Sequence, residues 1–141
     1  MTETVLLVED ELLVALDVQD IIEEAGYVVD GPYILLADAL SATASSRPLF
    51  AVLDVQLQDG EVFPLADRLH DAGVPVIFHS GHADPRDLRE RYPDAVVCMK
   101  PSAPSTLRNA ISTCCARVRR SEKDESLRIA ERPGDPEIIR S

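Results

Sequence analysis

The sequence predicts an α/β fold: a doubly wound three-layer sandwich around a five-stranded parallel sheet in the order 2-1-3-4-5. Three observations carry this. Four short, almost continuous apolar runs occur: Val5–Val8, Leu49–Leu53, Val74–His79 and Ala95–Met99. Parallel strands covered on both faces have that texture. Segments of helical periodicity separate them, and right-handed crossovers fold such an alternation into a sheet with helices on both faces. Each run also stops on chemistry: Glu9-Asp10, Asp54, Ser80 and Lys100. Open α/β sheets build their sites beyond the carboxyl ends of the strands, at the switch in strand order.

Along the chain, the first strand leads into a helix over 11–25, with Val14, Val18, Ile21, Ile22 and Ala25 on one side and Gly26 as its stop. Val28-Val29 opens a short second strand that Gly31-Pro32 bends or ends. A second helix over 35–46 stops at Arg47-Pro48, and the third strand delivers Asp54. The segment 55–61 reads as a loop with Asp59-Gly60 as its turn, before a third helix over 62–72 that accepts Pro64 in its first turn. A fourth helix starts at Asp84-Pro85 and is cut short by Tyr92-Pro93. The last helix starts near Pro104 and carries the stripe Leu107, Ala110, Ile111, Cys114 and Val118.

These elements define one domain over 1–120. From Ser121 periodicity fades and charges mix with Pro133-Gly134-Asp135-Pro136, so 121–141 reads as a charged, flexible tail too short for an output domain. Formal net charge is −11, and residues 1–116 hold 19 acidic against 7 basic side chains. Such a surface repels nucleic-acid phosphates, which excludes direct nucleic-acid binding. No apolar stretch approaches the roughly 20 residues that cross a bilayer. The acidic start, Met1 to Val5, is no leader peptide, so a cytoplasmic location and no membrane partner are expected. Cys98, Cys114 and Cys115 lack metal-ligand spacing; they read as small buried hydrophobes with one exposed thiol.

Carboxylates meeting at one spot repel, and a divalent hard cation resolves that most simply. Mg²⁺ takes oxygen ligands, typically one or two carboxylates with waters and a phosphate. Asp10 and Asp54 suit direct ligation, and Glu9 suits a metal-bound water. Lys100 adds an ammonium and Ser80 a hydroxyl, so the set can neutralise a phosphoryl group in transfer, with Asp54 as acceptor. Each residue alone has a plainer reading: Asp10 as a helix cap, Asp59 as a turn residue, Lys100 as a surface lysine. Their convergence at strand ends favours the site.

The segments Val5-Leu6-Leu7-Val8-Glu9-Asp10-Glu11, Leu53-Asp54-Val55-Gln56-Leu57-Gln58-Asp59-Gly60, Ser80-Gly81 and Lys100-Pro101 resemble those of two-component response regulator receiver domains, the CheY-like, flavodoxin-like class. The resemblance spans roughly residues 3–118. It implies a stand-alone signalling protein, not a metabolic enzyme, that assists its own phosphorylation and dephosphorylation. Asp54 would take a phosphoryl group from a histidine kinase or small phosphodonor. Mg²⁺ would be held by Asp10, Asp54 and the backbone carbonyl of Gln56, with Glu9 acting through water. Lys100, joined to Pro101 by a cis peptide bond, would contact the phosphoryl group. Ser80 would swing towards it, and Gly81 would leave room for the donor. Output would run through contacts of the fourth helix, fifth strand and fifth helix with an unidentified downstream protein, Arg86, Arg89, Arg91 and Arg108 forming rim charges. A phosphate-sink role, and a monomer or phosphorylation-dependent homodimer, fit equally.

The departures from the family are specific. Val97 stands where the switch aromatic is usual, and Ser102 replaces the common Phe after Lys-Pro. The run Pro75-Val76-Ile77-Phe78-His79-Ser80-Gly81-His82, with Phe63-Pro64-Leu65-Ala66-Asp67, is similar to a variant class reading Phe-Ala-Thr-Gly-Tyr, associated with HWE or HisKA2 kinases. His79 and His82 replace its Ala and Tyr. His82, beside the site, reads as a solvated loop residue or as a modulator of phosphoryl lifetime or switching; His79 reads as packed or hydrogen-bonded within its strand. Three rival readings differ on specific residues, the first a flavodoxin-like carrier, whose FMN phosphate Glu9-Asp10-Glu11 would repel. A haloacid-dehalogenase-like phosphatase needs a second Asp where Gln56 stands, whereas a phosphorylation-independent adaptor would use the fold for docking alone.

Overall fold

A computed structural model describes residues 3–131. The strands are β1 (Thr4–Val8), β2 (Val28–Tyr33), β3 (Phe50–Leu53), β4 (Gln56–Leu57), β5 (Gly60–Glu61), β6 (Val76–Ser80) and β7 (Val96–Met99). The helices are α1 (Leu12–Glu24), α2 (Leu36–Ala42), α3 (Phe63–Asp71), α4 (Pro85–Arg91) and α5 (Pro104–Glu131). The main sheet is parallel throughout, in the order β2-β1-β3-β6-β7. Counted over sheet strands alone, that is the predicted 2-1-3-4-5.

Alternation along the strands sends side chains to two cores. Val5, Leu7, Phe50, Val52 and Ile77 pack under α1 and α5; Leu6, Val8, Ala51, Leu53 and Phe78 pack under α2, α3 and α4. Both cores exclude water from the central strands, and the polar groups of the site emerge where β1, β3, β6 and β7 end.

Several elements differ from expectation. Of its two expected effects, Gly31-Pro32 bends β2 and does not end it; the strand runs on to Tyr33 through a one-residue register shift. Its edge position tolerates the missing proline N–H. Gly31 has φ +125°, and a Cβ there would run into the Leu7 carbonyl oxygen, so only glycine fits. The segment after Asp54 is no open loop but a hairpin, β4 against β5, closed by the Val62 amide bonding to the Val55 carbonyl at 2.9 Å. Helix α2 is shorter than 35–46, because the Thr43 hydroxyl bonds back to the Ala39 and Leu40 carbonyls as it stops. Ala25 lies beyond α1 and is exposed.

The expected boundary at 120/121 is not a break in secondary structure. Helix α5 continues to Glu131 through residues that include neither Pro nor Gly. The remainder of the expected tail, with Pro133-Gly134-Asp135-Pro136, lies outside the described residues. All three cysteines are buried, so the expected exposed thiol is corrected. Helix α5 contacts both the sheet and α1, which covers Cys114 and its neighbour Cys115 at once.

Candidate functional site at the strand ends

The switch in strand order lies between β1 and β3, and their ends bring Glu9, Asp10, Glu11 and Asp54 together. One carboxylate oxygen from each lies within 4.8 Å of the others. Glu9 and Asp54 are buried, Asp10 is half-buried and Glu11 is exposed. The ammonium of Lys100, arriving from the end of β7, sits among them. Its Nζ lies 2.9 Å from Glu9 Oε1, 3.0 Å from Glu11 Oε1 and 3.3 Å from Asp54 Oδ2.

Electrostatics follow from this crowding. Burial, reinforced by Asp54 and opposed by Lys100, raises the Glu9 pKa to about 7. Burial and Asp54 also raise that of Asp10. Burial alone would depress Lys100, but its hydrogen bonds to Glu9 and Glu11 and the charge of Asp54 win, holding its pKa above the usual lysine value. The cluster is thus four acids sharing one cation. Its donors are all hard oxygens, which fits an ion such as Mg²⁺. Asp10 does not cap α1: Glu11 holds the cap position, and the Glu11 amide bonds to Glu9 Oε2 at 3.1 Å.

Ser80 closes the far side. Its backbone carbonyl accepts from the Lys100 amide at 2.8 Å. Its Oγ accepts from the His82 and Ala83 amides at 3.3 and 3.1 Å, folding the β6–α4 connection over the strand end. The Lys100–Pro101 bond is cis, as the resemblance implies. Ser80, His82, Gln56, Glu61 and Phe63 line a cleft of about 300 Å³ leading from the site towards α4. Gly81 faces Lys100, where an added Cβ would lie 3.7 Å from the lysine Cβ.

Two departures acquire a setting. Val97 pairs with Phe78 and is only partly buried. The aromatic weight lies instead at Tyr92, which is 3% exposed and packs against Phe63, His70 and Phe78. The Tyr92 hydroxyl donates to Asp67, and Arg91 also reaches that carboxylate. Arg91 further lies over the Phe63 ring, 4.3 Å from its centroid, so it is committed to α3 rather than free on an output rim. His79 is buried with neither ring nitrogen partnered, so of its two expected settings it is packed and not hydrogen-bonded.

Sequence reasoning missed Glu11 as a Lys100 partner, Tyr92 as an anchor and Asp59 as a cap. The Glu9-Asp10-Glu11 run was a usable signal for the first. The other two depend on partners 25 and 23 residues away.

The fold and strand order are those of CheY-like response regulator receiver domains, and the acids and lysine at the strand ends lie where that resemblance expects them. Among curated proteins the chain is similar to the phyllosphere-induced regulator PhyR of Methylorubrum extorquens, at 32% identity over 115 residues. The match covers 79% of this chain and 43% of PhyR, so the chain spans less than half the length of that relative. The receiver domain of Erythrobacter litoralis PhyR matches at 27% identity and a TM-score of 0.69, over 81% of this chain and 90% of that one. SdrG from Sphingomonas melonis Fr1 matches at 27% identity and a TM-score of 0.68, over 81% and 97%. No protein-family model matches the chain. Among the described residues, no helix is long and apolar enough to cross a membrane.

Proposed function

We propose that this receiver accepts a phosphoryl group on Asp54 from a histidine kinase and reports it through protein contacts. The observation that carries the reading is Lys100 Nζ, 3.3 Å from Asp54 and 2.9 Å from Glu9, at the mouth of a buried acidic cluster. Asp54 is the nucleophile and Lys100 the cation that follows the charge transferred to it. Asp10, Asp54 and the Gln56 carbonyl would hold Mg²⁺, with Glu9 acting through water; when bound, the ion would supply positive charge against the phosphoryl oxygens. Ser80 donates its hydroxyl to the phosphoryl group after giving up the His82 and Ala83 amides. That exchange loosens the start of α4, while Tyr92 keeps its end fastened to α3.

The Phe78-His79-Ser80-Gly81 segment, similar to the Phe-Ala-Thr-Gly-Tyr variant class, supports a kinase partner of the HWE or HisKA2 type, and a cytoplasmic location goes with that role. The role is signalling, with Asp54 as substrate and not as the centre of a turnover enzyme. Gln56, standing where a phosphatase of the haloacid type needs its second acid, argues against that rival. The test is phosphotransfer from autophosphorylated HWE or HisKA2 kinases. Label should move to the wild-type chain with Mg²⁺, and neither to Asp54→Asn nor in EDTA. Transfer to Asp54→Asn overturns the reading.

A further inference from the structure

Helix α2 is braced at both ends by the segment that follows Asp54. Its cap position is Leu35, whose side chain cannot accept a hydrogen bond. Asp59 does so from a distance: Oδ1 accepts from the Leu36 amide at 2.7 Å and Oδ2 from the Ala37 amide at 3.1 Å. A carboxylate there satisfies two orphan donors and complements the helix dipole, and these bonds hold the Asp59 pKa below its ordinary value. At the other end, Arg68 Nη1 donates to the Leu40 carbonyl at 2.9 Å and to Thr43 Oγ1 at 3.4 Å. An acid and a base from one stretch of chain, nine residues apart, thus clasp the two poles of one short helix.

The two clasps differ in what they hold. Arg68 lies in α3, away from the strand ends. Asp59 is at the tip of the β4–β5 hairpin, whose Gln56 pairs with Glu61 and whose Leu57 is buried. That hairpin leaves the sheet directly after Asp54. The geometry points to Asp59 as a positioning residue: by capping α2 it fixes the hairpin that presents the Gln56 carbonyl to Mg²⁺ beside Asp54. This inference rests on the receiver reading of the metal site.

The test is Mg²⁺ titration of the full chain followed by amide NMR shifts, with melting temperatures alongside. Asp59→Asn keeps the size but offers one acceptor in place of two, and should weaken Mg²⁺ binding about tenfold, the lower end of what loss of outer-shell support costs. Arg68→Gln lowers the melting temperature by releasing the other clasp, yet should keep wild-type Mg²⁺ affinity. If Asp59→Asn does not fold, Asp59→Glu, still able to accept, should bind at intermediate strength. Wild-type affinity in the folded Asp59 variant, or equal weakening in Arg68→Gln, overturns the inference. Absence of Mg²⁺ binding by the wild type overturns the metal-site reading itself, and the inference with it.

Discussion

The Tyr92 hydroxyl donates to the Asp67 carboxylate at 2.6 Å, fastening the end of α4 to α3. With Val97 in place of a switch aromatic, this bond ties the Tyr92 end of α4 down, while the end towards Ser80 has no such bond to α3 among the described residues. Tyr92→Phe keeps the ring packing and loses the bond. Because Asp67 is half exposed, the loss should be about 1 kcal/mol, a drop of a few degrees in melting temperature. Burial and Asp67 hold the phenol above its ordinary pKa. Its contribution is therefore full below about pH 10 and lost as pH rises beyond that. Urea unfolding from pH 9 to 11 should show a steeper loss in wild type than in Tyr92→Phe.

His79 should behave oppositely. Burial first, then the Lys100 charge, lowers its pKa, so the fold favours the neutral ring. Its contribution is present above about pH 6.5 and is lost as pH falls, when the unfolded chain takes the proton. His79→Leu removes two unpartnered nitrogens and should be more stable than wild type by about 1 kcal/mol at pH 7. That advantage should widen towards pH 5. Equal acid slopes in denaturant titrations would contradict this.

Glu9 gives a third pH signature. A folded pKa of about 7, raised mainly by burial, means its contribution is full below about pH 4.5 and is lost as pH rises through about 7. In EDTA, Glu9→Gln cannot ionise at this position and should gain melting temperature relative to wild type between pH 5 and 8.

Lys100 is the cation on which two buried acids depend, Glu9 and Asp54 being 2% and 7% exposed. Lys100→Ala leaves them unpaired and should cost about 3 kcal/mol in EDTA. Saturating Mg²⁺ should restore most of that loss, so the variant should gain more from Mg²⁺ than wild type does. Thermal melts with and without Mg²⁺ read the difference.

The strands and the strand-end residues were legible because burial on both faces leaves little but Val, Ile, Leu and Phe until the chain exits the sheet. Asp10, Asp54, Ser80 and Lys100 stood out as polar residues ending such runs. What local pattern could not reveal was tertiary. Asp59 beside Gly60 looks like any turn acid until α2 is brought to it. Tyr92 before Pro93 looks like a helix breaker until Asp67 and Phe78 surround it. The passage of β2 through Gly31-Pro32 depends on an edge position that only the assembled sheet defines. The continuation of α5 past Ser121 needs no apolar stripe, so periodicity could not mark its end.

The central claim is that Asp54, at the end of β3, is the residue that carries the phosphoryl group. Its most direct test is borohydride reduction of the chain after incubation with acetyl phosphate and Mg²⁺, which converts an aspartyl phosphate to homoserine, followed by peptide mass spectrometry. Homoserine at position 54 alone, absent when Mg²⁺ is chelated, is the predicted result. Reduction at Asp10 or Glu9, or an unreduced Asp54 with phosphate bound elsewhere, would contradict it.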